Sequence, residues 1–436
     1  MIEVHGSVDA VPEATSPSTE SLTPVPPVQR SPLAQPQQAP IAATKSEASA
    51  ERIAIIGTGL AGYSLAKEIR RNDPDVSIRL FTADDGSFYS KPMLSTGFAN
   101  DKTAGDLIQK TAEQMAQQYR LDIQVHTKIT DININQQTIL CDDHSLYQFD
   151  KLVLATGAYS NLPPTLQQCP GKVYSINSLD DYRCFRTKTV ATHQKHVVII
   201  GAGLIGCEYA NDLLQAGFQV DIVDPMPTLL TRLAPNSIST RLANALQSQG
   251  ARCHFDASVD SVEPTQSGVC VKLAHGESIE ADMVLAATGL KPAIELAQNA
   301  GIETNRGIIT NQYLQTSKPN IYALGDCAEV DGLLMFYIAP LMQQAKALAK
   351  TLCGMPSKVH YPAMPIIIKT TIHPVVVCLP ANPSLGQWHT VVDREQGVQA
   401  LLKNDHGEIL GFALSGDQVV HQAELLRLCP TMLDSH

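Results

Sequence analysis

The chain predicts an α/β fold built from two Rossmann-like, three-layer units. Three observations carry the prediction: a glycine turn that occurs twice, the strand and helix flanking each copy, and an acid at the end of the next strand. The turns are Gly57-Thr58-Gly59-Leu60-Ala61-Gly62 and Gly201-Ala202-Gly203-Leu204-Ile205-Gly206, the second 144 positions after the first. Glycine is needed there because a dinucleotide pyrophosphate must approach the backbone amides that open a helix, and a Cβ would hold it away. Two such turns in one chain point to transfer between two cofactors.

Each copy sits in the context a βαβ unit requires. Before the first runs Arg52-Ile53-Ala54-Ile55-Ile56 and before the second Val197-Val198-Ile199-Ile200, β-branched runs suited to strands buried on both faces. A helical pattern follows each turn. The first places Leu65, Ala66 and Ile69 on one side and ends at Asn72-Asp73-Pro74; the second carries Cys207, Ala210, Leu213 and Leu214 and ends before Gly217. The next strands are Val76 to Phe81, leading into Ala83 and Asp84-Asp85, and Phe218 to Val223, leading into Asp224. Each acid is placed to bind a ribose diol. Further along, Leu152 to Gly157 and its near copy Met283 to Gly289 each read as a strand closing one nucleotide unit. Asn320 to Ala328 reads as a strand running into Gly325 and Asp326 ahead of a helix.

Composition bounds the function. With 436 residues the chain suits about three domains. It carries no run of 18 or more apolar residues and no basic segment followed by an apolar one at its start, so a cytoplasmic protein without membrane insertion is expected. A net charge of -11 argues against nucleic acid as the main partner. Ten cysteines lie scattered from Cys141 to Cys429 without a C-x-x-C pair, which supports neither a zinc site nor dithiol chemistry, so no metal is expected. Cys207 and Cys327, beside the nucleotide motifs, read as small apolar fillers. Residues 1–50 carry eight prolines among Ser, Thr, Ala and Gln and read as a disordered extension.

Together these motifs resemble the FAD-dependent pyridine nucleotide oxidoreductases over residues 51–436. The resemblance implies an FAD domain at about 51–163 plus 290–355, an NAD domain at 164–289 between its halves, and a small α+β C-terminal domain from about 356 to 436. Members that reduce disulfides carry redox cysteines after the first unit, where this chain has Tyr89-Ser90-Lys91-Pro92-Met93-Leu94-Ser95-Thr96 and no sulfur but that of Met93. A basic residue followed by Pro-x-Leu-Ser is similar instead to the members that pass electrons to a small iron protein. Tyr89 to Ala99, Gly201 to Asp212, Asn320 to Gly332 and Met364 to Lys369 are most similar to the rubredoxin reductases.

By that resemblance Glu208 and Lys91 lie against the flavin and the arriving nicotinamide. Asp326, the backbone of Ile338 and Lys369 complete the FAD site, Ile129 gives a backbone contact to the adenine part, and Gly157 and Gly289 close the two nucleotide units. NADH is the expected reductant, because the Asp224 carboxylate accepts from a free 2′-hydroxyl and repels a 2′-phosphate, and the nearest arginine is Arg232. The implied acceptor is rubredoxin, with electrons feeding alkane hydroxylation; a ferredoxin or a flavorubredoxin would use the same machinery. A redox-regulated flavoprotein that binds a partner is the alternative of another class. For an acidic iron protein docking on an acidic reductase, Arg183, Arg186 and Lys188 form one candidate basic patch, and Lys91 with Lys369 another.

Overall fold

The computed structural model describes residues 51–192 and 195–434; the extension predicted over 1–50 lies outside the described residues. The first nucleotide unit is a five-stranded parallel sheet. Its central strand, Arg52–Ile56, pairs with Ser77–Phe81 on one side and Lys151–Leu154 on the other, and Asp122–Gln124 and Ile321–Ala323 form the two edges. Helix α1 (Leu60–Asn72) follows the central strand and buries Leu65, Ala66 and Ile69, the face its apolar spacing predicts.

The second unit repeats this plan. A five-stranded parallel sheet is centred on His196–Ile200, flanked by Gln219–Val223 and Met283–Ala286, with Arg252–His254 and Val173–Tyr174 at its edges. Helix α2 (Leu179–Thr192) precedes its central strand and helix α3 (Leu204–Gln215) follows it. Each unit also carries a three-stranded antiparallel sheet, Ile129–Asn133 with Thr138–Cys141 and Leu146–Gln148 in the first, and Val259–Pro264 with Val269–Leu273 and Ser278–Ala281 in the second. The chain crosses between the units on two antiparallel strands, Ala158–Ser160 and Leu290–Pro292, which hydrogen-bond to each other.

The Gly325-Asp326 turn stands ahead of a helix as its sequence implies, with a hairpin between the two: Ala328–Val330 pairs back on Leu333–Leu334 through a turn in which Asp331 and Gly332 have φ of 49° and 79°. Helix α4 (Ile338–Leu352) starts only after this hairpin. The left-handed Asp331-Gly332 pair reverses the chain at its tip.

The C-terminal region forms a five-stranded antiparallel sheet, in the order Ile366–Ile368, Val375–Cys378, Ile409–Ser415, Gly397–Lys403 and Gln387–Arg394, with a short helix, Gln422–Leu426, after it. Val376, Phe412, Leu414 and Leu425 bury one face. The other face, with Ile368, Val377 and Ala413, shares a core with α3 and with Leu94 and Phe98 of the first unit. Three stretches of chain far apart in sequence therefore meet at α3.

Candidate functional site

The two glycine turns have nearly the same geometry. Gly57 and Gly201 have φ of +116° and +110°, and a Cβ there would lie 2.2 Å from the Ala155 carbonyl oxygen and 2.4 Å from that of Ala287. Gly62 and Gly206 press their helices onto the turn, leaving 2.0 and 1.9 Å between a hypothetical Cβ and the oxygen of the turn's first glycine. The middle glycines differ: a Cβ on Gly59 or Gly203 meets no protein atom within 4 Å. Two glycines of each turn are thus required by the fold, and the third leaves a cradle open. No side chain caps the first-turn amides of α1 or α3, although Thr103 and Thr111 close capping boxes elsewhere in the chain. Free amides beside an open cradle, with no acid in the first turn, suit a phosphate.

The predicted acids lie beside these cradles. Asp224 accepts hydrogen bonds from the amides of Ala202 (2.5 Å) and Met226 (2.8 Å), which aims its carboxylate across the second turn. Asp84 accepts from the Thr82 hydroxyl (2.6 Å) and the Gly86 amide (2.9 Å) through one oxygen. Its neighbour Asp85 is occupied by the Ser87 amide. Ala83 lies between Thr82 and Asp84 on the loop whose Thr82 carbonyl accepts from Thr127, two residues before the buried start of strand Ile129–Asn133. Thr58 is buried within the first turn, flanked by Leu60 and Ala61 at the start of α1. Gly157 and Gly289 have φ of +70° and +101°, with open space where a Cβ would stand.

Gly325 seats the Gly-Asp turn against α1, since a Cβ there would fall 2.8 Å from the Ala61 methyl. Its amide donates to the buried Gln344 (2.6 Å), which in turn donates to the Tyr361 hydroxyl (2.9 Å), so α4 and the following chain brace the turn. Next to it, Lys91 Nζ lies 3.8 Å from Asp326 Oδ2. Burial pulls the Lys91 ammonium down and pushes the Asp326 carboxyl up, and each group partly offsets the other's shift by its charge. Ile338 opens α4 behind Tyr337, which provides no side-chain cap.

Glu208, on the second turn of α3, is 3% exposed and sits in a polar cluster drawn from three parts of the chain. One carboxylate oxygen accepts from the Lys369 amide (3.1 Å); the other accepts from the Ser95 hydroxyl (2.6 Å) and from the Lys369 ammonium. Lys369 Nζ also donates to Ser95 (3.0 Å). The structure therefore separates the two predicted catalytic residues into neighbouring pairs, Lys91 with Asp326 and Glu208 with Lys369. Ser95 received no role from the sequence, although it lies in the Lys-Pro-x-Leu-Ser motif.

The basic patches are largely internally paired: Arg183 with Asp180, Arg186 with Asp101, Lys91 with Asp326 and Lys369 with Glu208. Pairing of this kind reduces the far field that steers an acidic partner. Cys207 and Cys327 are fully buried, and burial raises both thiols, as expected of apolar fillers. Among the described residues no helix is long and apolar enough to cross a membrane.

Comparison with known proteins gives the same family as the site. Residues 51–349 match the family model described as Pyridine nucleotide-disulphide oxidoreductase, and residues 358–429 match one described as Rubredoxin binding C-terminal domain. The chain is 44% identical to the Rubredoxin-NAD(+) reductase of Alcanivorax borkumensis, over 87% of this chain and 99% of that protein. It is 36% identical to the Nitric oxide reductase FlRd-NAD(+) reductase of Vibrio vulnificus, over 86% and 97%. Its fold is similar to that of the covalent putidaredoxin reductase–putidaredoxin complex, with a TM-score of 0.79 and 23% identity over 87% of this chain and 94% of that one. With two glycine cradles, paired acids and matches over nearly all the described residues, the chain belongs to the pyridine nucleotide-disulphide oxidoreductase family.

Proposed function

We propose that this chain is a cytoplasmic NADH:rubredoxin oxidoreductase that carries FAD, takes a hydride from NADH and returns the electrons one at a time to rubredoxin. The observation that carries the reading is the pair of open glycine cradles, one in the unit that also bears the Gly-Asp turn and the other beside Asp224, joined to a C-terminal region that matches a rubredoxin-binding domain. Bound FAD supplies the two-electron acceptance and one-electron release that link the two partners.

The chain's own residues bind and orient. Gly57 to Gly62, Ala83, Asp84, Ile129 and Gly157 hold the adenosine diphosphate part of FAD, and Gly325, Asp326 and the amide of Ile338 hold the rest. Gly201, Gly203, Gly206 and Gly289 hold the NADH pyrophosphate, while Asp224 selects the unphosphorylated ribose. Glu208 and Lys91 face the reacting rings. Glu208, held on three sides by Ser95 and Lys369, is supported as a fixed acceptor for the nicotinamide carboxamide. The FAD domain is placed at about 51–163 plus 290–355, the NAD domain at 164–289 and the C-terminal domain from about 356. The electrons are proposed to feed alkane hydroxylation.

A flavorubredoxin is the second reading, favoured by the identity to the Vibrio vulnificus protein. Anaerobic stopped-flow mixing of the purified protein with NADH, and then with oxidised rubredoxin, flavorubredoxin or a plant-type ferredoxin, separates the acceptors by colour. Rapid reduction of rubredoxin alone is expected. Reduction of another acceptor in its place moves the assignment, and flavin bleaching with no acceptor responding favours a redox-regulated binding protein.

A further inference from the structure

Helix α3 carries four polar residues on the stripe that faces the rest of the molecule: Glu208, Asn211, Asp212 and Gln215. Asn211 accepts from the Ile372 amide (2.9 Å) and Gln215 donates to Thr371 (2.6 Å), so both bind the C-terminal region. Asp212 points elsewhere. It is 1% exposed, and its two oxygens accept from the amides of Phe98 (2.9 Å) and Ala99 (2.8 Å), just past the 3-10 helix Lys91–Thr96. Glu208 and Asp212 are four residues apart and so lie on one face of the helix, gripping the same segment at Ser95 and at Phe98-Ala99.

We propose that Asp212 is a positioning residue for hydride transfer: its carboxylate clamps the segment Lys91 to Ala99 to α3, holding Ser95 and Lys91 in a fixed place relative to Glu208 and the nicotinamide turn at Gly203. The inference rests on the reading that NADH and FAD react at this site.

Packing around the clamp leaves the segment one seat. Phe98 meets Tyr182, Phe185 and Phe218 edge to face, with ring centroids 5.4, 5.5 and 5.7 Å away. A Cβ on Gly97 would fall 2.3 Å from the Tyr182 hydroxyl. The groups facing the carboxylate are Arg186 and Tyr182 of α2, Lys369 of the C-terminal region and Tyr209 of α3 itself, with Asp101 paired to Arg186.

Burial pushes the Asp212 carboxyl up to about 6, against the pull of the two amides, Arg186 and Lys369. Because the folded value lies above the ordinary one of 3.8, ionising Asp212 lowers global stability as pH rises from about 4 to about 6. The charge is therefore not there to hold the fold together. What it does is supply both amides with full acceptors, and protonation turns one oxygen into a hydroxyl and frees one of them.

Two measurements test this on the FAD-loaded, full-length protein. In hydrogen exchange followed by mass spectrometry, protection of one of the two amides, Phe98 or Ala99, corrected for intrinsic rate, is expected to fall about tenfold in Asp212→Asn at pH 7.5, and in the unaltered protein on going to pH 5.0, while the other keeps its acceptor. In an anaerobic stopped-flow pH jump, the limiting rate of flavin bleaching by NADH in the unaltered protein should fall about tenfold from pH 7.5 to pH 5.0, because about one Asp212 in eleven stays ionised a unit below its midpoint. Asp212→Asn should be slow at both pH values, with its NADH half-saturation little changed. Unchanged amide protection, or an Asp212→Asn protein that keeps the full rate and the same acid limb, overturns the proposal. If the variant does not fold, the two pH arms on the unaltered protein decide. A protein whose flavin NADH never bleaches at any pH sinks the underlying reading instead, and the exchange arms still judge the clamp.

Discussion

Gly203→Ala tests the division of labour within a glycine turn, because the structure gives the three glycines of one motif different outcomes. Gly203 has φ -75° and ψ -169°, extended backbone that alanine adopts freely, and its Cβ would meet no protein atom within 4 Å. The chain-entropy gain of the substitution, about 0.4–1 kcal/mol, is offset by the poorer helix N-cap that alanine makes, so stability should stay within about 1 kcal/mol of the unaltered protein. The methyl instead enters the open cradle. Displacing a phosphate from one charge-assisted amide bond costs about 1.5–3 kcal/mol, a loss of NADH affinity of about ten- to 150-fold. The assay is urea unfolding alongside the NADH dependence of anaerobic flavin bleaching, with bound FAD quantified by its absorbance. Gly206→Ala, whose Cβ would lie 1.9 Å from the Gly201 oxygen, should fail to fold. Gly59→Ala should fold and lose FAD. A folded Gly203→Ala protein with ordinary NADH saturation would refute the reasoning, since the phosphate would then not ride over that turn.

Two further predictions follow from single carboxylates. Asp224→Asn should raise the NADH half-saturation about ten- to a hundredfold and relieve the repulsion of a 2′-phosphate, so that the NADH to NADPH preference narrows; an unchanged ratio of kcat/KM removes Asp224 from selection. Asp221 is fully buried, and although burial alone would raise it, hydrogen bonds from His196 (2.6 Å), Arg252 (2.6 Å) and His254 (2.7 Å) hold it at about 2. Its folded value is depressed, so it contributes stability above pH 4, on the order of 2 kcal/mol, that is lost as pH falls toward 2; Asp221→Asn should flatten that part of the urea-midpoint profile, and an unaltered slope refutes it.

Much of the fold was legible because its demands are local. A strand that must be buried on both faces needs an apolar run, and a turn such as Gly57 to Gly62 needs glycine where two backbones nearly touch. The strand Arg52–Ile56 and the end of α1 at Asn72 have the limits their residues imply. The polar cluster was not legible in the same way. Ser95, Glu208 and Lys369 lie 113 and 161 positions apart, and no local pattern states that a buried glutamate will meet a lysine from another domain. Asp212 gave even less sign, since an acid on a helix usually faces water, and its 1% exposure is set by tertiary packing that no local pattern states. Lys91 and Asp326 were each singled out by their own motif, but their pairing across 235 positions of chain is a matter of tertiary packing that neither motif states.

The two crossing strands, Ala158–Ser160 and Leu290–Pro292, place the start and finish of the inserted nucleotide unit side by side, tied by antiparallel pairing and by the Thr156 hydroxyl bond to the Ala293 carbonyl (2.8 Å). A segment whose ends meet can be gained, exchanged or removed in evolution while the host sheet keeps its strand order, because the gap left behind is only as wide as one strand pair. The inserted unit repeats the five-stranded parallel plan of its host, so each half of the molecule carries a complete nucleotide sheet of its own. A protein assembled in this way can change its electron donor without rebuilding the site of its flavin.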